Sequence, residues 1–179
     1  MLQKSSMVRV LEFFFINPSK EHSLKNISKK VKLAHTSVKN NLNKLVKLRL
    51  ILESIEKRGK RKFPVYKANR DYKFFRNYKI IHNLSSVLES GLIGFIEEKL
   101  MPKSIILFGS YRKGEDTENS DIDLFIECKE EKLNLKIFEK KMGKRIQLHF
   151  KENFNLYPKE LRNNITNGIV LDGFLEAYK

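Results

Sequence analysis

The segment that decides the fold of the second half is residues 104–127, which read SIILFGSYRKGEDTENSDIDLFIE. It opens with a short apolar run, Ser104 to Phe108, which is typical of a strand buried on both faces. A polar loop from Gly109 to Ser120 follows, and residues 121–127 then alternate in a way that predicts a second strand. Because side chains two apart on a strand point to the same face, the two aspartates of this strand are expected side by side.

Asp121 and Asp123 thereby offer hard oxygen ligands of the kind that suits Mg²⁺ bridged to a triphosphate. Gly109 lets the backbone approach a phosphate closely, and Ser110 adds a hydroxyl and an N–H group near a helix start, where anions are favoured. Each piece also has a plainer interpretation alone, because Asp-Ile-Asp can be an exposed strand and Gly-Ser a turn. Together, after a buried strand, they favour a nucleotide site.

Gly109-Ser110, Gly114 and the string Ser120-Asp121-Ile122-Asp123-Leu124 resemble the active-site motif of the nucleotidyltransferases of the DNA polymerase beta superfamily, particularly the minimal nucleotidyltransferases. The resemblance spans roughly residues 85–175 and implies a small mixed sheet flanked by helices. It implies that Asp121 and Asp123 are catalytic residues that bind Mg²⁺ or Mn²⁺. It also implies that Gly109, Ser110 and Ser120 bind a nucleoside triphosphate.

One position departs from this family, which has a third carboxylate on a later strand. The corresponding strand is predicted at residues 145–150, where Gln147 takes the place of that carboxylate and faces the site with His149. A neutral amide is a poor Mg²⁺ ligand and a poor general base. His149 could accept a proton or be an ordinary polar strand residue, and Glu127 lies on the aspartates' face but further along the strand. Nucleotide binding is therefore better supported than turnover.

The net charge of +15 lies entirely in residues 1–89, which hold 21 Lys and Arg against 6 Asp and Glu. Residues 90–179 hold 15 of each. Such asymmetry indicates a polyanion-binding module joined to a module with a different task, although Lys-rich surfaces can also serve solubility alone.

The spacing of apolar residues in the basic half predicts three helices, at Ser5–Ile16, about Leu24–Val31, and from His35 or Thr36 to Leu48. Thr36 or Ser37 is the expected N-cap of the third helix. Two strands follow at residues 51–56 and 63–68, joined by a basic hairpin tip.

Three helices followed by a basic hairpin resemble a winged helix-turn-helix DNA-binding domain. The resemblance implies that the third helix enters the major groove and that the hairpin, or wing, contacts the backbone. Arg49 stands where the family often has glycine, at a position that would then adopt a left-handed conformation. The expected DNA-binding residues are Lys39, Asn40, Asn43, Lys44 and Lys47 on the helix, and Arg58, Lys60, Arg61 and Lys62 on the wing.

The sequence thus predicts an α+β protein with a winged helix-turn-helix at 1–70, a linking helix at 71–90 and a nucleotidyltransferase-like domain at 91–179. No apolar run reaches the length of a membrane span. The single Cys128 gives no internal disulfide, so a cytoplasmic location is expected.

The sequence is consistent with three functions. The first is a DNA-binding regulator whose second domain binds Mg-nucleotide with weak or lost chemistry. The second is an active transferase that moves a nucleoside monophosphate to a nucleic acid, protein or small molecule. The third, implied by the family resemblance, is an antitoxin with a helical toxin-like partner. A homodimer is also expected, because helix-turn-helix proteins commonly read two half-sites.

Overall fold

A computed structural model describes residues 4–152 and 154–176, and for Arg58 and Asn155 it describes the backbone alone. The chain divides into two units, one ending at Lys79 and one beginning at Ile80. Both combine helices with a small sheet, so the α+β fold class is confirmed.

The elements of the first unit follow one another in the order α1, β1, α2, α3, β2 and β3. Its three strands form one antiparallel sheet in the order β1-β3-β2. The elements are α1 (Ser6–Ile16), β1 (His22–Ser23), α2 (Leu24–Val31), α3 (His35–Lys47), β2 (Ile51–Arg58) and β3 (Arg61–Ala68).

Serine side chains cap the N-termini of the first two helices, but not that of the third. The Ser5 hydroxyl accepts a hydrogen bond from the Val8 N–H, and Ser23 caps α2 in the same way. Helix α3 starts at His35 after Ala34, which has no side-chain cap, so the expected N-cap at Thr36 or Ser37 was wrong.

Helix α3 begins before Thr36 and Ser37 because the turn between α2 and α3 is tight. Lys32 ends α2 in the left-handed region with φ 52°, and the Ser28 hydroxyl donates to the Leu33 carbonyl at 2.6 Å. These contacts return the chain to helical geometry by His35, so the two hydroxyl residues fall inside the first turn of α3.

The hairpin of β2 and β3 is longer than the sequence predicted, with Arg58 opposite Arg61 and a loop of two residues. Gly59 has φ +60° at the first of these, a position that glycine favours in such tight loops. Pro64 lies on the central strand, not on an edge strand, but the short β1 pairs with β3 only at Val65 and Tyr66. The missing N–H of Pro64 therefore costs no ladder hydrogen bond.

Helix α4 (Lys73–Ser90) contains the boundary between the units, and α5 (Leu92–Leu100) follows it. Gly91 separates them with φ +84°.

The second unit is a four-stranded sheet in the order β6-β5-β4-β7, in which β5 and β6 are parallel and the other pairs antiparallel. The start of the expected loop is a short helix, and β7 was not predicted. The elements are β4 (Ser104–Phe108), α6 (Gly109–Lys113), β5 (Ile122–Ile126), α7 (Lys136–Met142), β6 (Ile146–Phe150), a 3₁₀ turn (Phe154–Leu156), α8 (Lys159–Thr166) and β7 (Ile169–Gly173).

Both faces of this sheet are covered, which explains why β4 is apolar from Ile105 to Phe108. Leu107 and Leu124 pack in one cluster with residues of α5, while Ile106 and Phe125 pack in a second with Ile165 of α8. No helix in the described ranges combines the length and the apolar character that a membrane crossing requires.

Candidate active site

The candidate site lies at one edge of the second sheet, where β4 ends and where β5 and β6 begin. Phe108 pairs with Asp123 across the antiparallel strands, and Asp123 pairs with Gln147 across the parallel ones. Asp121 immediately precedes β5. The sheet register therefore brings the Gly-Ser segment, both aspartates and Gln147 together, although 38 residues separate Gly109 from Gln147 in the sequence.

Gly109 is required at this edge for two reasons. It has φ +72°, in the left-handed region. A Cβ atom built at this position would overlap the carboxylate of Asp123. The backbone after β4 thus lies directly against that carboxylate, in space that a side chain would fill.

Gln147 and His149 both reach the aspartates, as the strand alternation predicted. The Gln147 amide Nε2 donates to Asp121 Oδ2 at 3.0 Å, and His149 Nε2 lies 3.4 Å from Asp123 Oδ1. The edge of the His149 ring packs on Phe108, with ring centroids 5.0 Å apart. One oxygen of each aspartate therefore contacts a β6 side chain, and the second oxygen of Asp123, Oδ2, lies beside Gly109.

A group of residues that sequence reasoning missed fixes the loop between α6 and β5. Lys144 Nζ lies 3.2 Å from Asp116 Oδ2, and this carboxylate is only 1% exposed. Asn83 Nδ2 donates to Asp116 Oδ1 at 2.8 Å, and Lys144 Nζ also donates to the Thr117 carbonyl at 2.5 Å. Loss of one partner from a buried ion pair costs about 3–5 kcal/mol, so these contacts hold the loop firmly.

The same residues surround the buried Tyr111. Asn83 Nδ2 also donates to the Tyr111 carbonyl at 2.8 Å, and Lys144 Nζ lies 5.8 Å from the centre of the Tyr111 ring. Burial raises the pKa of Tyr111 to about 12, and the nearby Asp116 carboxylate adds to the increase. Asn83 and Lys144 are far from the loop in sequence, so no local pattern indicates them.

The two serines that were expected to bind nucleotide occupy different positions. Ser110 lies half-buried in α6, and its carbonyl accepts from the Glu115 N–H at 3.0 Å. The Ser120 hydroxyl accepts from the Thr117 N–H at 2.9 Å and lies 3.3 Å from the Thr117 hydroxyl. Ser120 therefore closes the turn before Asp121.

A cleft of about 420 Å³ opens beside Asp121 and carries charges of both signs. Lys144 and Arg145 contribute cations to it, and Glu118 and Asp121 contribute carboxylates. This volume is large enough for a small ligand. The remaining lining residues are Asn119, Ser120 and Gly143.

A comparison with known sequences finds a family similarity in the second half of the chain. Residues 89–172 match the profile of a family described as "Nucleotidyltransferase domain", and this segment is called the nucleotidyltransferase domain below. The match contains the sheet, the Gly-Ser segment, both aspartates and Gln147.

Three proteins of Methanocaldococcus jannaschii are similar to parts of the chain. "Putative protein adenylyltransferase MJ0128" is 50% identical over 44 residues, which are 25% of this chain and 45% of that protein. "Putative protein adenylyltransferase MJ1379" is 54% identical over 35 residues, or 20% of this chain and 35% of that protein. "Putative protein adenylyltransferase MJ1215" is 48% identical over 44 residues, or 25% and 51%. The chain thus spans about half or less of each relative's length.

Among solved structures, the chain is similar to "Possible transcriptional regulator from Methanosarcina mazei Go1". The TM-score is 0.37 and the sequence identity 19%, over 54% of this chain and 79% of that chain.

Glu127 follows the last residue of β5 and lies at the opposite end of this strand from Asp121. It is 7% exposed and accepts a hydrogen bond from the Ser104 hydroxyl at 3.1 Å. Four residues of extended strand separate it from Asp123, a distance of about 13 Å. Glu127 therefore lies away from the two aspartates, further along the chain as its position in the sequence indicated.

The donor set of the nucleotidyltransferase domain fits a magnesium ion that is shared with a nucleotide. Asp121 and Asp123 each keep one carboxylate oxygen beyond their contacts with β6. Mg²⁺ is commonly bound by one or two carboxylates together with substrate phosphates. Within residues 4–152 and 154–176, no three His, Cys, Asp or Glu side chains are grouped to hold a metal by themselves.

The first unit presents the expected DNA-binding residues to solvent. Lys39, Asn40, Asn43, Lys44 and Lys47 are exposed on α3, whereas Asn41 is buried and donates to the Ser6 hydroxyl at 3.1 Å. Lys60, Arg61 and Lys62 are exposed at the tip of the hairpin. The side chain of Arg58 lies outside the described part of the chain.

Proposed function

We propose that the nucleotidyltransferase domain binds a nucleoside triphosphate with Mg²⁺ or Mn²⁺ at Asp121 and Asp123, with weak or absent transfer, and that the first unit binds duplex DNA. The protein is then a DNA-binding regulator. The observation that carries the proposal is Gln147, whose amide donates to Asp121 at the place where a third carboxylate would lie.

Nucleotide binding rests on the geometry of the sheet edge. Asp121 and Asp123 would hold the metal through their outer oxygens, and Gly109 leaves the backbone open beside Asp123. A bound Mg²⁺ neutralises charge on the phosphates and orients them for in-line attack. The buried Asp116–Lys144 pair keeps the preceding loop in place, so the aspartates need little reorganisation when ligand binds.

Weak transfer follows from the chemistry of the third position. A carboxylate there could take the proton of an attacking hydroxyl, whereas the Gln147 amide cannot act as a base. The amide also adds no negative charge beside the metal. With Gln147 at this position, the domain can keep its affinity for the nucleotide while the rate of transfer falls.

DNA binding is supported by the arrangement of the first unit. Two helices joined by a tight turn precede a hairpin with an exposed basic tip, which is the order of elements in a winged helix-turn-helix. The exposed face of α3 offers Asn40 and Asn43, whose amides suit adenine, and lysines that suit phosphates. The location of the whole +15 net charge in residues 1–89 agrees with this role.

A second candidate function is protein adenylyl transfer, and His149 favours it. Its Nε2 lies 3.4 Å from Asp123 Oδ1, so the imidazole is beside the proposed metal site and could take a proton from an acceptor hydroxyl bound there. The hydroxyl oxygen would attack the α-phosphorus of ATP, pyrophosphate would leave, and the proton would pass to His149. The names of the three similar M. jannaschii proteins describe this class of reaction.

One experiment separates these functions. The full chain is incubated with ATP labelled at the α-phosphate, Mg²⁺ or Mn²⁺, and protein extract, and pyrophosphate release and protein labelling are followed. The regulator binds ATP but transfers no label above the level of Asp123→Asn. Label transfer that His149→Ala abolishes, while ATP binding persists, would favour the transferase.

DNA binding is tested separately through its dependence on salt. If about five to eight cations contact phosphates, log K against log salt should have a slope of roughly −4 to −7. Binding of duplex DNA that is absent, or that does not respond to salt, would contradict the proposal for the first unit.

A further inference from the structure

Helix α4 has an apolar stripe on its exposed side. Phe74, Tyr78, Ile81 and Leu88 are 56%, 49%, 62% and 53% exposed, and Ser85 completes the row. The opposite side of the helix is buried. Its buried residues are Phe75, Lys79, Asn83, Val87 and Ser90.

The spacing of the stripe is that of a helix that packs along a second helix. Its five positions are separated by four, three, four and three residues, a repeat of 3.5. This spacing keeps a seam facing a partner helix along its length, and α4 has 18 residues, or about 27 Å. Exposed apolar patches on soluble proteins often mark an interaction site, and this row has four large apolar side chains, with Ser85 between Ile81 and Leu88.

The charges on α4 indicate that a second copy of α4 packs against the stripe and that the two helices run antiparallel. Between Asn77 and Leu88 the only Lys, Arg, Asp or Glu is Lys79, which is buried, so nothing along the middle of the stripe repels an identical helix. Exposed Lys73 precedes the stripe and exposed Glu89 follows it. Two copies that run antiparallel bring each lysine near the glutamate of the other copy, and their helix dipoles also oppose.

We propose that the α4 stripe is the interface of a homodimer in which two copies of α4 pack antiparallel about a two-fold axis at Ile81. In this arrangement Ile81 meets its own copy, and Phe74 lies opposite Leu88 of the second copy. An isologous contact of this kind closes on itself and gives a dimer rather than a filament. The inference does not depend on the proposed nucleotide chemistry.

The mass of the full chain in solution tests the interface. Light scattering at micromolar concentrations should give twice the 21.1 kDa of one chain. Ile81→Glu places two carboxylates against each other at the axis and should return the mass to that of a monomer. Ile137→Glu changes another exposed isoleucine, 77% exposed on α7, and should leave the dimer intact. A monomeric wild type, or a dimer that Ile81→Glu does not affect, would overturn the proposal.

Disulfide cross-linking tests the direction of the helices, in a chain whose Cys128 is replaced by Ser. Ile81→Cys should cross-link to itself under mild oxidation. Phe74→Cys should not cross-link to itself but should cross-link to Leu88→Cys when the two variants are mixed. Self-cross-linking of Phe74→Cys would show a parallel pair and contradict the antiparallel arrangement.

Discussion

At the scale of single residues, Gly109 is the position where the site tolerates least change. Gly109→Ala places a side chain at φ +72°, which costs about 1–2 kcal/mol, and its Cβ must displace the Asp123 carboxylate. We expect a lower melting temperature and loss of Mg-ATP binding by at least about tenfold, because a displaced ligand weakens the metal site.

The matched control for Gly109→Ala is Gly91→Ala, at φ +84° with no atom within 4 Å of the added Cβ. This variant has the same backbone strain but no contact with an aspartate. It should lose stability and keep its affinity for Mg-ATP. If both variants bind Mg-ATP equally well, the proximity of Gly109 to Asp123 does not matter for binding.

Gln147 is the residue that decides between binding and turnover. Gln147→Asp adds a negative charge beside the metal and should strengthen Mg-dependent ATP binding several-fold, because an opposite charge in a partly desolvated cleft attracts the ion strongly. Without metal, three carboxylates repel one another, so the melting temperature in EDTA should fall below that of the wild type.

Calorimetry in Mg²⁺ and melting curves in EDTA measure both effects of Gln147→Asp, and a gain in label transfer would show restored chemistry. Gln147→Glu tests the reach of the new carboxylate with one more methylene group. Equal ATP affinity in wild type and Gln147→Asp would mean that this position does not face the metal.

At the scale of secondary-structure elements, the C-terminal end of α3 has backbone strain at Arg49 that a glycine would relieve. The Arg49 N–H donates to the Val46 carbonyl at 2.9 Å and the Leu50 N–H to the Leu45 carbonyl at 3.0 Å, the pattern of a Schellman cap. Arg49 has φ 58°, as the sequence analysis anticipated for a residue that replaces glycine. Arg49→Gly should therefore stabilise the protein by about 1 kcal/mol.

Lys47→Gly is the control for this prediction, since it introduces glycine two residues earlier, inside the last turn of α3. It should destabilise by about 1 kcal/mol because glycine is a poor helix former. Denaturant unfolding measures both changes. A loss of stability in Arg49→Gly would show that the arginine side chain stabilises the cap more than the strain costs.

Substitutions on α3 and substitutions on the hairpin should affect DNA binding in different ways. Replacing Lys60 and Arg61 by Ala should weaken binding to all duplexes alike, because phosphate contacts carry little sequence information. Asn40→Ala or Asn43→Ala should instead alter preference among sequences by about 1–3 kcal/mol for each bidentate hydrogen-bonded pair with a base that the substitution removes. Fluorescence anisotropy with a selected and a random duplex measures both. Equal effects on the two duplexes for the asparagine variants would show that they do not read bases.

Local patterns predicted the elements well where the sequence itself fixes them. The strand at Ser104–Phe108 and the alternation around Gln147 were both predicted from neighbouring residues. The strand Ile169–Gly173 was not, because its register depends on pairing with β4 more than 60 residues away.

Local sequence patterns also did not predict the buried polar residues that hold the loop before Asp121. Asn83, Asp116 and Lys144 come from a helix, a loop and a segment before β6, and each is an ordinary polar residue in its own stretch of sequence. Only the folded sheet shows that they meet and that they fix the loop before Asp121. The same holds for the α3 cap, where contacts of Ser28 and Lys32 outweigh the preference of Thr36 and Ser37.

At the scale of the whole molecule, the concentration of charge in residues 1–89 complicates any test of nucleotide binding. A surface that attracts phosphate backbones also attracts ATP, so affinity alone does not identify the site. The role of the metal separates the two modes. Chelation of Mg²⁺ removes binding at the aspartates, whereas it strengthens nonspecific attraction by leaving ATP with more negative charge.

Calorimetric titration of ATP into the full chain, with Mg²⁺ and with EDTA, tests whether Asp121 and Asp123 form the nucleotide site, for wild type, Asp121→Asn and Asp123→Asn. Wild type should bind about one ATP per chain in Mg²⁺ and lose that binding in EDTA, since a metal shared by carboxylates and phosphates links the two. Each asparagine variant should lose the Mg-dependent binding while it keeps its melting temperature. Mg-dependent binding that survives both substitutions would contradict the account, because the two aspartates would then not form the nucleotide site.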